Sequence, residues 1–225
     1  MCGCWPSTRN LSARCEKWAD AADDFAKLMR METADSPPAW YLLCRRALAL
    51  LASGQQGEYR KVCAEMVDRF QTTADTQTAF FTAWTAALRP DAVPDLAPVL
   101  RLAEEARAGE ARNARSHQAV GAVLYRMGRF EECFKQFDAA EAADNPQEQN
   151  SPAYWHYFRA MAHHRLGHKE AARNWLAKAA AETEKELRDV AQGTSPGMWV
   201  RQATLDVLRT EAQALVRETA AKPEK

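Results

Sequence analysis

Two stretches of the sequence, residues 121–140 and 160–179, share one pattern of small, glycine and apolar residues. Each has a small residue, a glycine seven residues later, and a second small residue five positions beyond the glycine. The matching pairs are Gly121 and Ala160, Gly128 and Gly167, Cys133 and Ala172, Phe137 and Leu176, and Ala140 and Ala179. Gly167 lies 39 residues after Gly128, and self-similarity at a spacing of about 20–50 residues is typical of stacked repeats. The chain is therefore predicted to be a repeat protein.

The residues between the turns favour helices over strands. Ala, Leu, Glu, Arg and Lys dominate, which are good helix formers, and isoleucine does not occur at all. Prolines suited to the first turn of a helix follow Ser36 and Ser151. Ten helices are predicted, over residues 15–31, 38–53, 57–70, 75–88, 94–108, 112–127, 130–143, 151–166, 169–189 and 197–218.

Two weaker copies of the pattern precede the clear ones. In one, Ala47 takes the small position and Gly54 the turn, and three extra residues come before Tyr59, which is predicted to match Phe130. The other copy has the spacing of Phe130, Cys133, Phe137 and Ala140 at Trp18, Ala21, Phe25 and Leu28. That copy is interpreted as the second helix of a repeat whose first helix is degenerate or missing.

The repeat chemistry explains why hairpins should stack. Small residues at fixed positions let two helices approach closely, and large residues fill the gaps between hairpins. Because one hairpin leaves an apolar face exposed, its neighbours must cover it. The predicted fold is all-α, a right-handed α-solenoid of antiparallel helix hairpins, with an ordinary helical bundle as the alternative. The predicted organisation is a disordered tail over 1–14, a repeat array over 15–189, a linker over 190–196, a capping helix over 197–218 and a disordered tail over 219–225.

The pattern over 121–140 and 160–179, with its weaker form at 47–70, resembles the tetratricopeptide repeat family. Within that family it is similar to the C-terminal repeat region of bacterial serine/threonine kinase and WD40 signalling proteins. The stretches that carry this similarity are residues 49–54, 59–66, 90–96, 125–130, 161–167 and 209–216. The resemblance implies a protein-binding scaffold in kinase-linked signalling. It does not imply an enzyme, because the glycine-rich loop, His-Arg-Asp and Asp-Phe-Gly motifs of kinases are absent.

In this family the first helix of each hairpin lines a concave groove, so the resemblance places a partner-binding site on the predicted helices 112–127 and 151–166. The candidate residues are Arg115, Gln118, Tyr125, Arg126, Tyr154, Tyr157, His164 and Arg165. Tyr and Arg are enriched at binding hot spots, and guanidinium groups pair well with carboxylate and phosphate. The predicted ligand is therefore an acidic or phosphorylated protein segment. The competing interpretation is that Arg126 and Arg165 are structural and pair with acidic residues of an adjacent hairpin.

A metal-dependent enzyme is one alternative, because His163, His164 and His168 cluster near a helix end. His164 and His168 have the i, i+4 spacing of a metal site on a continuous helix, but Gly167 is expected to break that helix. Three further soft ligands, Cys2, Cys4 and Cys15, lack a fourth, and a tail with reactive thiols is the simpler interpretation. No metal or other cofactor is therefore predicted. A structural remnant without a partner is the second alternative.

The net charge gives no general attraction to nucleic acid or to an anionic membrane, because 30 basic side chains balance 30 acidic ones. No run of about 18 apolar residues occurs that could span a bilayer. Residues 1–10 also lack the apolar stretch of a secretion signal. The predicted location is the cytoplasm, where the six cysteines are expected to be free thiols.

Overall fold

A computed structural model describes residues 9–31, 39–145, 150–191 and 199–218. Over these ranges the chain forms ten α-helices and no β-strand. The helices are α1 (Arg9–Arg30), α2 (Ala39–Ala52), α3 (Gln56–Phe70), α4 (Thr76–Ala87), α5 (Ala97–Gly109), α6 (Ala114–Arg126), α7 (Phe130–Ala142), α8 (Pro152–Arg165), α9 (Lys169–Ala191) and α10 (Trp199–Glu218). The predicted all-α class and the number of helices are confirmed.

The predicted helix ends lie within three residues of the observed ones except at the start of the chain. α1 begins at Arg9, so residues 9–14 are helical although they were predicted to belong to a disordered tail. At the other end of the array, α9 continues to Ala191, two residues into the predicted linker. Residues 1–8, 192–198 and 219–225, which hold the rest of the predicted tails and linker, lie outside the described residues.

Helices pair along the chain as the hairpins α2–α3, α4–α5, α6–α7 and α8–α9. The first helix of each hairpin also contacts the first helix of the next one. We call α2, α4, α6 and α8 the inner row, and α3, α5, α7 and α9 the outer helices. Each hairpin covers an apolar face of its neighbour, which is the stacking that a repeat sequence requires. The handedness of the stack stays a prediction.

Three of the hairpins turn on a glycine in the left-handed backbone region. Gly54, Gly128 and Gly167 have φ values of 79°, 75° and 77°. Each glycine N–H donates to the carbonyl three residues back, and the following N–H donates to the carbonyl five residues back. These are the two bonds of a Schellman motif, which needs a residue at positive φ. The three turn positions predicted from the sequence are thus confirmed.

The register predicted for the first hairpin is wrong. α3, α7 and α9 all begin two residues after the turn glycine, so no extra residues intervene after Gly54. Tyr59 therefore matches Cys133 and Ala172, and not Phe130. All three matching residues are buried, and each donates its N–H to the carbonyl of the residue directly after the glycine. An aromatic side chain suggested the wrong match, whereas counting from the glycine gives the right one.

Small residues lie where helices cross, as predicted. Ala47, Gly121 and Ala160 are buried seven residues before their turns, and Ala140 and Ala179 have no exposed surface. A Cβ atom added to Gly121 would lie 2.4 Å from Cε1 of Phe137. The phenylalanine ring therefore occupies the space that a larger residue at position 121 would need.

The first helix does not follow the repeat register that was predicted for it. α1 packs on α2, and its Ala22 is buried. Leu28, which was predicted to match the buried Ala140, is 48% exposed. The spacing of Trp18 and Phe25 has another cause, because both rings lie against Trp199 of α10, with centroids 5.3 and 6.0 Å apart.

The last helix returns across the array. α10 contacts α2 and α8 of the inner row and the outer helix α9, so it touches both the first and the last hairpin. Its most buried residues are Thr204, Leu205, Leu208 and Ala212, which share one helix face. The contacts of α10 thus extend beyond the last hairpin, and its role as a cap stays a prediction.

Candidate functional site

The inner row carries positive charge and no negative charge. α2, α4, α6 and α8 contain no Asp or Glu. Their arginines are Arg45 and Arg46 in α2, Arg115 and Arg126 in α6, and Arg159 and Arg165 in α8. The outer helices hold acidic residues instead, and α7 alone has Glu131, Glu132, Asp138 and Glu141. The balanced net charge of the chain thus conceals an uneven distribution.

Arg126 joins three helices. Its Nε donates to the carbonyl of Ala87 at 2.8 Å and its Nη2 to that of Leu88 at 2.9 Å, so it serves carbonyls left open where α4 ends. Both terminal nitrogens of the guanidinium also donate hydrogen bonds to the carboxylate of Glu211 in α10, and Nη2 lies 2.8 Å from Oε2. The two side chains are 5% and 14% exposed. Arg126 was predicted to be available to a partner, whereas the structure places it in a buried ion pair within the chain.

Glu211 has a second cation nearby. Nη1 of Arg89, just beyond α4, lies 3.9 Å from Oε2 of Glu211. The carboxylate is therefore held by two arginines from different hairpins. The competing interpretation of Arg126 as a structural residue fits this geometry, with α10 rather than an adjacent hairpin as the source of the acid.

Arg165 occupies the same repeat position as Arg126 but is exposed. The hydroxyl of Tyr125, which is itself buried, lies near the Arg165 guanidinium. Burial raises the pKa of the Tyr125 hydroxyl, and Arg126 and Arg165 oppose that rise. Arg165 is thus one of the predicted residues that remains accessible to a ligand.

The two tyrosines of α8 face other parts of the chain. Burial raises the pKa of Tyr154, whose hydroxyl has hydrogen-bonding contacts with Thr204 and Arg201 of α10. Tyr157 is fully buried, and its hydroxyl lies 2.9 Å from Oγ1 of Thr183. Neither tyrosine therefore presents its hydroxyl to solvent as the predicted surface patch requires.

The remaining predicted residues have mixed surroundings. His164 is half-buried, and Arg115 is exposed with its guanidinium 5.5 Å from the ring centroid of Phe80. Gln118 is buried, and its Oε1 has no hydrogen-bond partner among the described residues. Arg115 and Arg165 are therefore the two predicted arginines that lie at the surface.

An aromatic cluster connects the predicted residues inside the array. The ring centroid of Trp84 in α4 lies 5.4 Å from that of Tyr154 and 6.1 Å from that of Phe158. The ring centroids of Phe158 and Tyr125 are 5.5 Å apart. The Arg126 guanidinium lies 5.4 Å from the Phe158 ring. The structure thus brings Tyr125, Arg126 and Tyr154 together, through two aromatic residues that sequence reasoning did not select. They form part of the core under α10 and not an open surface.

The histidine cluster has aromatic and histidine neighbours. Nδ1 of His163 lies 3.3 Å from Nδ1 of His168, and the His163 ring stacks on Phe134 at 4.5 Å. Burial, and then the nearby His168, lower the pKa of His163. In the part of the chain that the structure describes, no group of three or more His, Cys, Asp or Glu is placed to hold a metal ion.

Cys44, Cys63 and Cys133 are buried free thiols, and Cys15 lies in α1. Burial raises the pKa of Cys63 and of Cys133 to about 12, which disfavours the reactive thiolate. Cys2 and Cys4 lie outside the described residues. Over the described ranges, none of the helices is long and apolar enough to cross a membrane.

Comparisons with known proteins leave the family open. No family model matches the chain, and no curated protein matches it. A solved structure titled "MamA MSR-1 C2" is similar at 15% sequence identity with a TM-score of 0.45. That alignment covers 79% of this chain and 95% of the other.

Proposed function

We propose that the protein is a non-catalytic scaffold that binds an acidic or phosphorylated segment of another protein along the inner row. The observation that carries this proposal is the pair of exposed arginines, Arg115 and Arg165, on an inner row whose helices contain no acidic residue. A surface of one sign favours ligands of the opposite sign and raises their rate of encounter.

Two arginines supply the exposed part of this surface. Arg115 lies in the first turn of α6 and Arg165 at the end of α8. A guanidinium presents forked donors that suit carboxylate and phosphate oxygens. Arg126 already binds a carboxylate in this manner within the chain, which supports an acidic ligand class for the inner row.

We also propose a role in bacterial kinase-linked signalling in the cytoplasm. That context comes from the resemblance of residues 125–130 and 161–167 to the repeat region of such proteins. A metal-dependent enzyme built on His163, His164 and His168, and a remnant without a partner, are the rival functions.

The test is binding of a fluorescent glutamate-rich peptide, with and without a phosphoserine, to the full chain. The double variant Arg115→Ala with Arg165→Ala should bind about 2 kcal/mol more weakly than the wild-type chain. Binding to the wild-type chain should also weaken as salt rises, because exposed charges are screened. Arg126 is left intact since its loss would disturb folding.

Matched controls are Arg60→Ala with Arg173→Ala, because both arginines are exposed on outer helices. These controls should bind the peptide as the wild-type chain does. Equal weakening in both double variants would mean that the attraction is unspecific, and no weakening in either would sink the proposed surface.

A further inference from the structure

The inner row already holds a helix, and that helix is α10 of the same chain. α10 packs against α2 and α8, and its Leu205 and Leu208 have no exposed surface. Thr210, Ala214 and Arg217 of α10 are exposed. A helix with one buried and one solvated face, lying across other helices, has the geometry of helix-in-groove recognition.

Specific contacts fix α10 at both ends. At its start, the Trp199 ring lies 5.3 Å from Trp18 and 6.0 Å from Phe25. Near its end, Glu211 receives both terminal nitrogens of Arg126. A bidentate arginine–carboxylate pair adds directional specificity to an apolar contact. These contacts define a register that a different helix would have to reproduce.

We propose that the site of α10 is a docking site for an amphipathic helix of a partner protein, and that α10 is its internal competitor. The partner helix carries an aromatic residue, leucines six and nine residues later, and a carboxylate twelve residues later. These are the spacings of Trp199, Leu205, Leu208 and Glu211. The absence of acidic residues from the inner row and the approach of Arg89 to Glu211 supply the charge complementarity for that carboxylate.

The inference deepens the proposed function, on which it rests, by naming the form of the partner segment. The two remain separable, because the acidic peptide is tested with variants of Arg115 and Arg165, whereas the helix is tested with variants of Glu211 and Trp199. Exchange of the helix without binding of the acidic peptide would sink the proposed surface alone.

The probe is a fluorescent synthetic peptide of residues 199–218, added to the full chain. In the wild-type chain α10 competes from a high effective concentration, so the peptide should bind weakly. Glu211→Gln in the chain removes the carboxylate from the competing helix while leaving Arg126 to receive the peptide's Glu211. The peptide should then bind about 100-fold more tightly to the Glu211→Gln chain than to the wild-type chain.

Three further measurements make the test specific. A peptide with Gln in place of Glu211 should lose most of this gain. An unrelated helical peptide with Trp, Leu, Leu and Glu at the stated spacing should compete, and its scrambled form should not. Glu184→Gln is the matched control in the chain, because Glu184 is 69% exposed, and it should bind the peptide as the wild-type chain does.

Circular dichroism and thermal melting would establish that the Glu211→Gln chain is folded. If it is not, Trp199→Ala weakens the opposite end of α10 without leaving a buried charge, and it should likewise admit the wild-type peptide. Absence of binding to every folded variant, or equal binding of the Glu and Gln peptides, would overturn the proposal. A variant chain that becomes a dimer by exchanging α10 between copies would also overturn it, since the occupant would then be a second copy.

Discussion

Arg126 and Arg165 stand two residues before the turn glycines of the two best-matched repeats, yet they have different surroundings. Arg126 is 5% exposed and bound to Glu211, while Arg165 is exposed and contacts the hydroxyl of Tyr125. Only the first of them meets the carboxylate of α10. A repeat position therefore determines the backbone and the place of a side chain, and the rest of the chain determines its partner.

The same two repeats differ at another matched position, eleven residues before each glycine. The ring nitrogens of His117 lie 3.0 Å from Gln136 Oε1 and 3.0 Å from the Ala111 carbonyl. His156 is buried, and neither ring nitrogen has a hydrogen-bond partner among the described residues. One repeat thus provides hydrogen-bond partners for the ring nitrogens of His117. The other places the rings of Trp155 and Trp175 beside His156.

The largest difference between the repeats is expected at the arginines. Arg126→Ala should lower the free energy of unfolding by about 3–5 kcal/mol, because it leaves Glu211 buried without its main partner. Arg165→Ala should change it by less than about 0.5 kcal/mol, as is usual for exposed residues. Urea denaturation followed by circular dichroism measures both.

The double variant Arg126→Ala with Glu211→Ala provides the control for this contrast. Removing both charges should recover part of the stability, since no uncompensated charge then remains. Equal losses for Arg126→Ala and Arg165→Ala would show that α10 does not distinguish the two repeats.

Sequence reasoning succeeded where the deciding interaction is local. Gly128 and Gly167 are recognisable because a helix that turns back needs positive φ within a few residues, and Ala140 and Ala179 follow at a fixed distance. The ion pair of Arg126 joins residues 85 positions apart, and no spacing rule relates them. Arg126 was therefore selected for its charge but assigned to an open surface, and Glu211 was not selected at all.

The next largest difference in stability between the two repeats is expected at the matched small residues, Gly121 and Ala160. Gly121→Ala would place a methyl 2.4 Å from the Phe137 ring and should cost about 1–3 kcal/mol of stability. In the other repeat Ala160 already carries this methyl, and Leu176 takes the position of Phe137. Gly121→Ala combined with Phe137→Leu reproduces that pair and should be more stable than Gly121→Ala alone. Thermal unfolding of Gly121→Ala and of the double variant measures this difference. Identical melting temperatures would show that the volume of the side chain at position 137 does not set the cost of the added methyl.

The buried His156 should make the stability of the chain sensitive to acid. Burial, then the cation of Lys178, lowers the pKa of His156 to about 4, with Glu141 opposing and Arg159 adding to that shift. The unfolded chain binds this proton near the ordinary pKa of about 6.5. The contribution of His156 to stability is therefore complete above about pH 6.5 and is lost as the pH falls toward 4.

Urea midpoints measured from pH 7 to pH 4 would test this contrast. His156→Leu should flatten the loss of stability in acid relative to the wild-type chain, whereas His117→Leu should retain the acid loss that His156 causes. Parallel curves for His156→Leu and the wild-type chain would mean that the buried ring does not control the response.

The smallest difference, close to zero, is expected at the turn glycines themselves. Gly128 and Gly167 have φ values of 75° and 77°, and a Cβ atom added to either would meet nothing within 4 Å. The cost of alanine is then the left-handed backbone alone, about 1–2 kcal/mol at each position. Gly128→Ala and Gly167→Ala should therefore lower the free energy of unfolding equally, within about 0.5 kcal/mol, in urea denaturation. Asparagine at either position should cost less than alanine, because it tolerates positive φ better. A clear inequality between the two alanine variants would show that the turns are coupled to their different surroundings, and that the repeat backbone is not independent of the side chains it carries.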